Sequence, residues 1–354
     1  MSEHTAYQKI SSPTNKSICC LCLKNEATKT NSHIVPSFLG ARVFSYDGSG
    51  KRGKDIAFSL TASKQKVHTG DLPSTKFEEL FDERSLTNER IEELKVDSLA
   101  KNFYLCPNCE KLLADYLESP YASIFKNEKQ IPGDIALFFW MSVIWRISIT
   151  RVFGDWLSAD VEDSMRTYLS LFLDQKQIGQ DTSPLIESTP FVYKVLFNSN
   201  YLKEEAGFIN FKTNDTHDCA AFLCGDMAVF MGQRDFVFDF WGLEEYVENA
   251  PINNGLLIEK RCIIPIDSFL DAKKAIINEF KEKKMDFERN LLNQVWKKLS
   301  LKGEMPLELQ NEIIFSIHGD GLKLGDRGEV RMWAPIIYKK IFNFFKTKYN
   351  IVIL

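Results

Sequence analysis

The spacing of apolar and polar residues changes character along the chain, and each change predicts a different kind of element. After Pro107 the apolar positions Leu112, Leu113, Tyr116 and Leu117 recur at helical spacing, and Pro120 is expected to end that helix. Residues 134–152 are apolar almost throughout, centred on the run Ile135 to Trp145 (IALFFWMSVIW), and predict a buried core helix. That run is well short of the about 20 apolar residues a membrane span needs. A third helix is expected after Ser158 or Asp160, with Val161, Met165, Tyr168, Leu169 and Phe172 on one face and Asp160 as its N-cap.

Near residue 190 the pattern becomes that of strands. The segments 191–197 (FVYKVLF), 207–211 (GFINF), 221–231 (AFLCGDMAVFM), 236–241 (FVFDFW) and 256–266 (LLIEKRCIIPI) are rich in β-branched and aromatic residues and are separated by turn formers. They predict an antiparallel sheet. Beyond Asp267 the pattern is helical to the end, apart from a Gly-rich link at 318–328 that lacks the spacing of a nucleotide-binding loop. No internal repeat is present. The expected fold class is α+β, divided into a flexible tail at 1–17, an N-terminal module at 18–125, a helical core at 126–188, a sheet-containing domain at 189–275 and a C-terminal helical region at 276–354. Inside the N-terminal module, 45–98 is polar and reads as a long insertion, a loop followed by a charged helix near 76–98. The segment KNFYL (101–105) reads as a short strand entering Cys106.

Composition narrows the function less than the fold. The chain has 354 residues, 44% hydrophobic content and a net charge of -4, so no global basic field draws it to nucleic acid, and any such contact has to be local. The cluster Lys51, Arg52, Lys54, Lys64 and Lys66 is the local basic candidate, beside the bland reading of a solvated loop. The opening residues are polar and lack the apolar stretch of a secretory signal, which points to the cytoplasm and away from membranes. In that setting paired CxxC motifs are metal sites more often than disulfides.

Cys19-x-x-Cys22 and Cys106-x-x-Cys109 are two such pairs, with 83 residues between Cys22 and Cys106. Each pair offers two thiolates to one tetrahedral ion. The long gap is tolerable because loop-closure cost grows slowly with length. The second pair opens a helix at Pro107, where the helix dipole favours thiolates. A first knuckle in a loop and a second at a helix start is the treble-clef arrangement, with Zn²⁺ as a structural ion. Cys20 lies inside the first knuckle and competes for assignment. Cys219, Cys224 and Cys262 read as small hydrophobes in strands, and His217-Asp218-Cys219 fails as a Cys–His nucleophile because neighbours in a strand face opposite ways.

Around these cysteines the strings Ser32-His33-Ile34-Val35-Pro36 and Leu105-Cys106-Pro107-Asn108-Cys109-Glu110 resemble those of HNH endonucleases with a zinc-stapled ββα-metal core. SHIVPSF with LCPNCE, together with the later helical stretch Ser142 to Ser148 (SVIWRIS), is similar to a group of bacterial HNH-like proteins. The resemblance covers roughly the first 150 residues. It implies that His33 is the general base, Asn102 the residue orienting the His-bearing hairpin, and Glu110 a ligand for a divalent ion such as Mg²⁺ or Mn²⁺. It further implies phosphodiester hydrolysis in nucleic acid, DNA ahead of RNA. Two departures stand out: Ser32 replaces the acidic metal ligand before the histidine, and Glu110 replaces a histidine on the helix. An acid from elsewhere, such as Asp115 about one turn along the helix or a residue of the insertion, would have to substitute. The alternative is a catalytically inactive zinc module that recruits nucleic acid or a protein partner. Arg146 reads either as a phosphate contact or, as a buried charge requires, as a paired structural arginine.

Overall fold

The computed structural model describes residues 18–28, 32–44, 56–60, 65–69, 99–101, 103–204, 208–234, 236–237, 240–318 and 330–349. The tail at 1–17, Asn102, the charged stretch near 76–98, most of the basic cluster and most of the Gly-rich link lie outside them. The fold is mixed α+β. The chain forms two compact units, one taking in the described residues up to 57, those in 66–71 and those in 94–273, the other those in 58–65 and from 274 onward.

In the first unit the N-terminal strand β1 (Ser32–His33) leads to helix α1 (Ser37–Phe44). Two strands fall within the expected loop of the insertion, β2 (Ile56–Leu60), whose residues 58–60 belong to the second unit, and β3 (Gln65–Thr69), which lies in the first from residue 66 on, so His68 sits in a strand rather than a loop. Strand β4 (Ala100–Lys101) pairs antiparallel with β1, Ser32 opposite Lys101 and His33 opposite Ala100. It stops short of Cys106, because Phe103 takes a left-handed backbone (φ 62°) that no strand accommodates.

Helix α2 (Pro107–Leu113) does not end at Pro120. It widens into a π-helical stretch (Ala114–Glu118) and continues as α3 (Ser119–Lys126), with Pro120 in the first turn of the new segment. The proline still has no N–H to give the preceding turn, but the wider π-helical turn relieves the clash of its ring with the preceding carbonyls. Helix α4 (Gly133–Thr150) is buried on every side from Ala136 to Ile149. It is the helix among the described residues long and apolar enough to cross a membrane, yet 83% of that stretch is covered by the protein itself. Helix α5 (Ala159–Gln177) packs beside it through stacked Phe138 and Phe172. Its N-cap position is Ser158, and Asp160 lies in the first turn. A short helix α6 (Ser183–Ser188) follows.

The sheet is built from β5 (Phe191–Phe197), β6 (Phe208–Thr213), β7 (Cys219–Cys224), β8 (Met227–Gln233) and β9 (Cys262–Ile263), with a one-turn helix α7 (Tyr201–Glu204) between β5 and β6. From β3 the order runs β6, β7, β8, β5, β9. The antiparallel expectation fails at one edge, where β9 runs parallel to β5 with Leu196 opposite Cys262. The run 221–231 is two strands, joined at Gly225-Asp226, where Gly225 supplies the positive φ (62°) of a tight hairpin. The described part of 236–241 is not strand, and α8 (Glu244–Asn249) follows it. Most of 256–266 is not strand: it is a strap that bends at 255–257 and joins the sheet only at β9, beyond the isolated bridge where Asn253 exchanges backbone hydrogen bonds with Tyr193. One hydrophobic core runs from Cys19 through α4 to Met231, so the segments 18–125 and 126–188 share an interior with the strands up to β8.

The second unit contains the later part of α9 (Ile266–Lys298), α10 (Leu307–His318) and α11 (Val330–Tyr349). Its own core gathers Trp296, Leu309, Ile313, Ile337 and Ile341.

Candidate metal centre and the His33 strand

The first knuckle folds on its own backbone. Cys19 N–H donates to Asn25 O (2.8 Å), Leu23 N–H returns to Cys19 O (3.0 Å), and Ile18 bridges Glu26. Two further bonds tie it to the second knuckle, from Cys20 N–H to Tyr104 O (2.8 Å) and from Thr28 N–H to Leu105 O (3.2 Å). Cys106 is the N-cap of α2, and its sulfur accepts from the backbone N–H of Cys109 at 3.5 Å. The helix start therefore turns both sulfurs of the second pair toward the first, and Asn25 Nδ2 adds a donor to Cys106 Sγ at 3.7 Å.

The sulfurs of Cys19, Cys22, Cys106 and Cys109 lie within 4.8 Å of one another. Cys22 and Cys106 are 3.9 Å apart. A tetrahedron with ~2.3 Å metal–sulfur bonds has an edge of about 3.8 Å. A disulfide needs about 2.05 Å, and all four cysteines are unbridged. The cluster is thus compatible with a structural metal such as zinc. The thiols pair with one another: a hydrogen bond from Cys109 lowers the Cys19 thiol to about 4, while the same pairing, with burial, pushes Cys109 up. Cys20 stands outside the group, and burial followed by the charge of Cys19 lifts its thiol to about 12.

Beneath the His33 strand lies a second, polar cluster. Ser32 is fully buried, and His33 beside it is half-buried. Neighbours along a strand face opposite sides, so the Ser32 side chain looks inward and the His33 ring outward. The Glu110 carboxyl, on the first turn of α2, meets the Ser32 hydroxyl. Burial raises its pKa, and the Ser32 hydrogen bond and the Arg146 charge only partly oppose this. Glu110 Oε2 is buried with no hydrogen-bond partner among the described residues, and the buried Tyr104 hydroxyl lies against Ser32. Arg146, buried to 1% exposure, donates from Nη1 to His33 O (2.7 Å), from Nε to Ser142 O (3.1 Å), and pairs with Glu118 Oε1 (2.6 Å). Burial works against its charge, but Glu118, Tyr104 and Glu110 together hold its pKa above the ordinary value. This is the paired arginine of the sequence reading. Its partner Glu118 carries no sequence signal, because its position depends on the π-helical widening.

Asp115 is exposed on the π-helical stretch. His217 occupies a turn (φ 57°), stacked on Trp156 with Nδ1 2.6 Å from Trp156 O, while Cys219 is buried in β7, so the two form no nucleophilic pair. Cys224 is buried as expected, and Cys262 is only part-buried at the sheet edge.

Sequence reasoning missed one polar centre altogether. The strap residue Glu259 is buried and accepts from Tyr121 OH (3.2 Å), Trp140 Nε1 (3.0 Å), Tyr193 OH (3.2 Å) and Arg261 Nε (2.8 Å). Arg261 also lies over the Phe125 and Phe197 rings. The only available signal was a lone acid inside an apolar run. Compared with known proteins, the chain matches no family model, no curated protein and no solved structure.

Proposed function

We propose that the N-terminal module is a zinc-stapled, HNH-type endonuclease site that hydrolyses phosphodiester bonds in nucleic acid. Zinc is the ion of choice for four thiolates and supplies folding energy rather than chemistry. The observation that carries the catalytic reading is Glu110 Oε2, buried with no hydrogen-bond partner among the described residues. A buried carboxylate oxygen without a donor is costly, and a cation is one of the few groups that relieves it. It lies beside Ser32, where the HNH resemblance sets the metal-binding positions. A hard divalent ion such as Mg²⁺ or Mn²⁺ suits a carboxylate and a hydroxyl, and when bound supplies charge stabilisation to the phosphate. On this reading the outward His33 imidazole takes the proton of the attacking water, a task suited to histidine near neutral pH. The Arg146 bond to the His33 carbonyl fixes the backbone that presents it.

A second reading has its own support. The Arg146 guanidinium already brings a buried positive charge to Glu118 and Glu110. That charge competes with a divalent ion, and Ser32 removes one anionic ligand. The module is then a silent scaffold that recruits nucleic acid or a protein. Plasmid nicking separates the two. The endonuclease reading expects cleavage with Mg²⁺ or Mn²⁺ that His33→Ala abolishes while zinc content and melting temperature hold. Cleavage that survives in His33→Ala removes the histidine from the chemistry, and binding without cleavage under any divalent ion favours the scaffold.

A further inference from the structure

The second unit carries a basic helix in a chain whose net charge is -4. Helix α11 contains Arg331, Lys339, Lys340, Lys346 and Lys348 and no acidic residue. Its inward positions Ile337 and Ile341 are buried in the unit's core. On its outer side Tyr338 and Phe342, one helical turn apart, are 53% and 41% exposed. Lys346 continues the same stripe at the next turn, and Lys339 flanks it, both exposed. Lys340 is committed to Glu312 on α10 (2.8 Å). Lys339 and Lys346 have no ion-pair partner among the described residues.

We propose that this stripe binds single-stranded nucleic acid, with bases stacked on Tyr338 and Phe342 and phosphates met by Lys339 and Lys346. The chemistry calls for a partner that is anionic and also offers flat apolar faces. Unpaired nucleotides meet both demands, because each base has a π-face and each linkage a charge. The two rings are separated by about 6 Å of helix rise, wider than the ~3.4 Å step of stacked duplex bases, so each ring meets a base of its own. A lipid surface fits less well. A membrane-surface helix needs a broad apolar sector, and that of α11 is spent on the core. This inference stands apart from the reading of His33, since it concerns binding and needs no divalent ion.

The test uses the full chain with zinc retained and no added divalent ion, so that a failure to cut and a failure to bind are read separately. Fluorescence anisotropy with a labelled oligothymidylate of about 20 nucleotides is compared with a duplex of equal length and with sedimented phosphatidylcholine–phosphatidylserine vesicles. The single strand is expected to bind most tightly. Tyr338→Ala with Phe342→Ala should weaken it about tenfold or more. Tyr338→Leu with Phe342→Leu should weaken it comparably, because aliphatic side chains do not stack. Lys339→Ala with Lys346→Ala should flatten the salt dependence by a slope of about 1.4. Unchanged melting temperatures verify folding. Absence of single-strand binding, binding to vesicles alone, or full affinity in the Ala pair would overturn the proposal.

Discussion

Arg146 and His33 are joined by a 2.7 Å hydrogen bond from a guanidinium in the C-terminal part of the core helix to the main-chain carbonyl of the strand. The bond links residues 113 positions apart and places the positive charge below the strand instead of at the surface. The backbone of the histidine is therefore fixed from the interior by Arg146 and along its edge by the pairing with Ala100.

Replacing Arg146 with Met should be costly. It leaves the part-buried Glu118 and His33 O without their donor, and removing one member of a buried pair costs about 3–5 kcal/mol. Arg146→Lys should recover little of this, since an ammonium cannot reach three acceptors in the geometry of the guanidinium fork. Urea denaturation measures both. A loss under about 1 kcal/mol for Arg146→Met would mean that the pair contributes no more than a surface ion pair.

Glu259 anchors the strap in the same way. Glu259→Ala strands the donors of Tyr121, Trp140 and Tyr193 and the charge of Arg261, for an expected loss of about 3–5 kcal/mol. Glu259→Gln keeps the volume and some acceptors and should cost less. Protease sensitivity localises the effect, with new cleavage expected between Pro251 and Lys260. Cleavage elsewhere, or none, would show that the strap is held by its packing.

The stability should also depend on pH through Glu162. Its carboxylate is buried against Ser148 and Arg151, and burial outweighs both of them in raising its pKa. A carboxyl with a higher pKa folded than unfolded holds its proton more tightly in the native state. Its contribution is complete below the unfolded pKa and is lost as pH rises through the folded one. Relative to Glu162→Gln, the wild type should therefore gain stability as pH falls from about 7 to about 4. Urea midpoints across that range test the sign, and a difference that grows with rising pH contradicts it.

The parts of the fold legible in sequence were those with local signals. Cys106-Pro107-Asn108-Cys109 specifies a helix start by itself, and the unbroken apolar run of α4 can belong only to an interior. The hairpin β7–β8 was readable as strand but not as two strands, because its two-residue turn leaves a nearly continuous apolar run. Less local features stayed hidden. The π-helical stretch that carries the chain through Pro120 depends on packing against α4. The parallel β5–β9 edge depends on where the strap is pinned, and the pin is Glu259. At the candidate site, the four cysteines were readable from spacing alone. The burial of Glu110, the Arg146–Glu118 pair and the inward turn of Ser32 are tertiary, and no residue pattern announces them.

Metal analysis of the purified chain tests the central claim most directly. One zinc per chain is expected, replaceable by Co²⁺ with the intense thiolate charge-transfer bands of four-sulfur coordination. That metal should be lost when Cys19, Cys22, Cys106 and Cys109 are replaced by Ser and retained when Cys20 is. A chain that carries no zinc, or keeps it without those four thiols, would contradict the account.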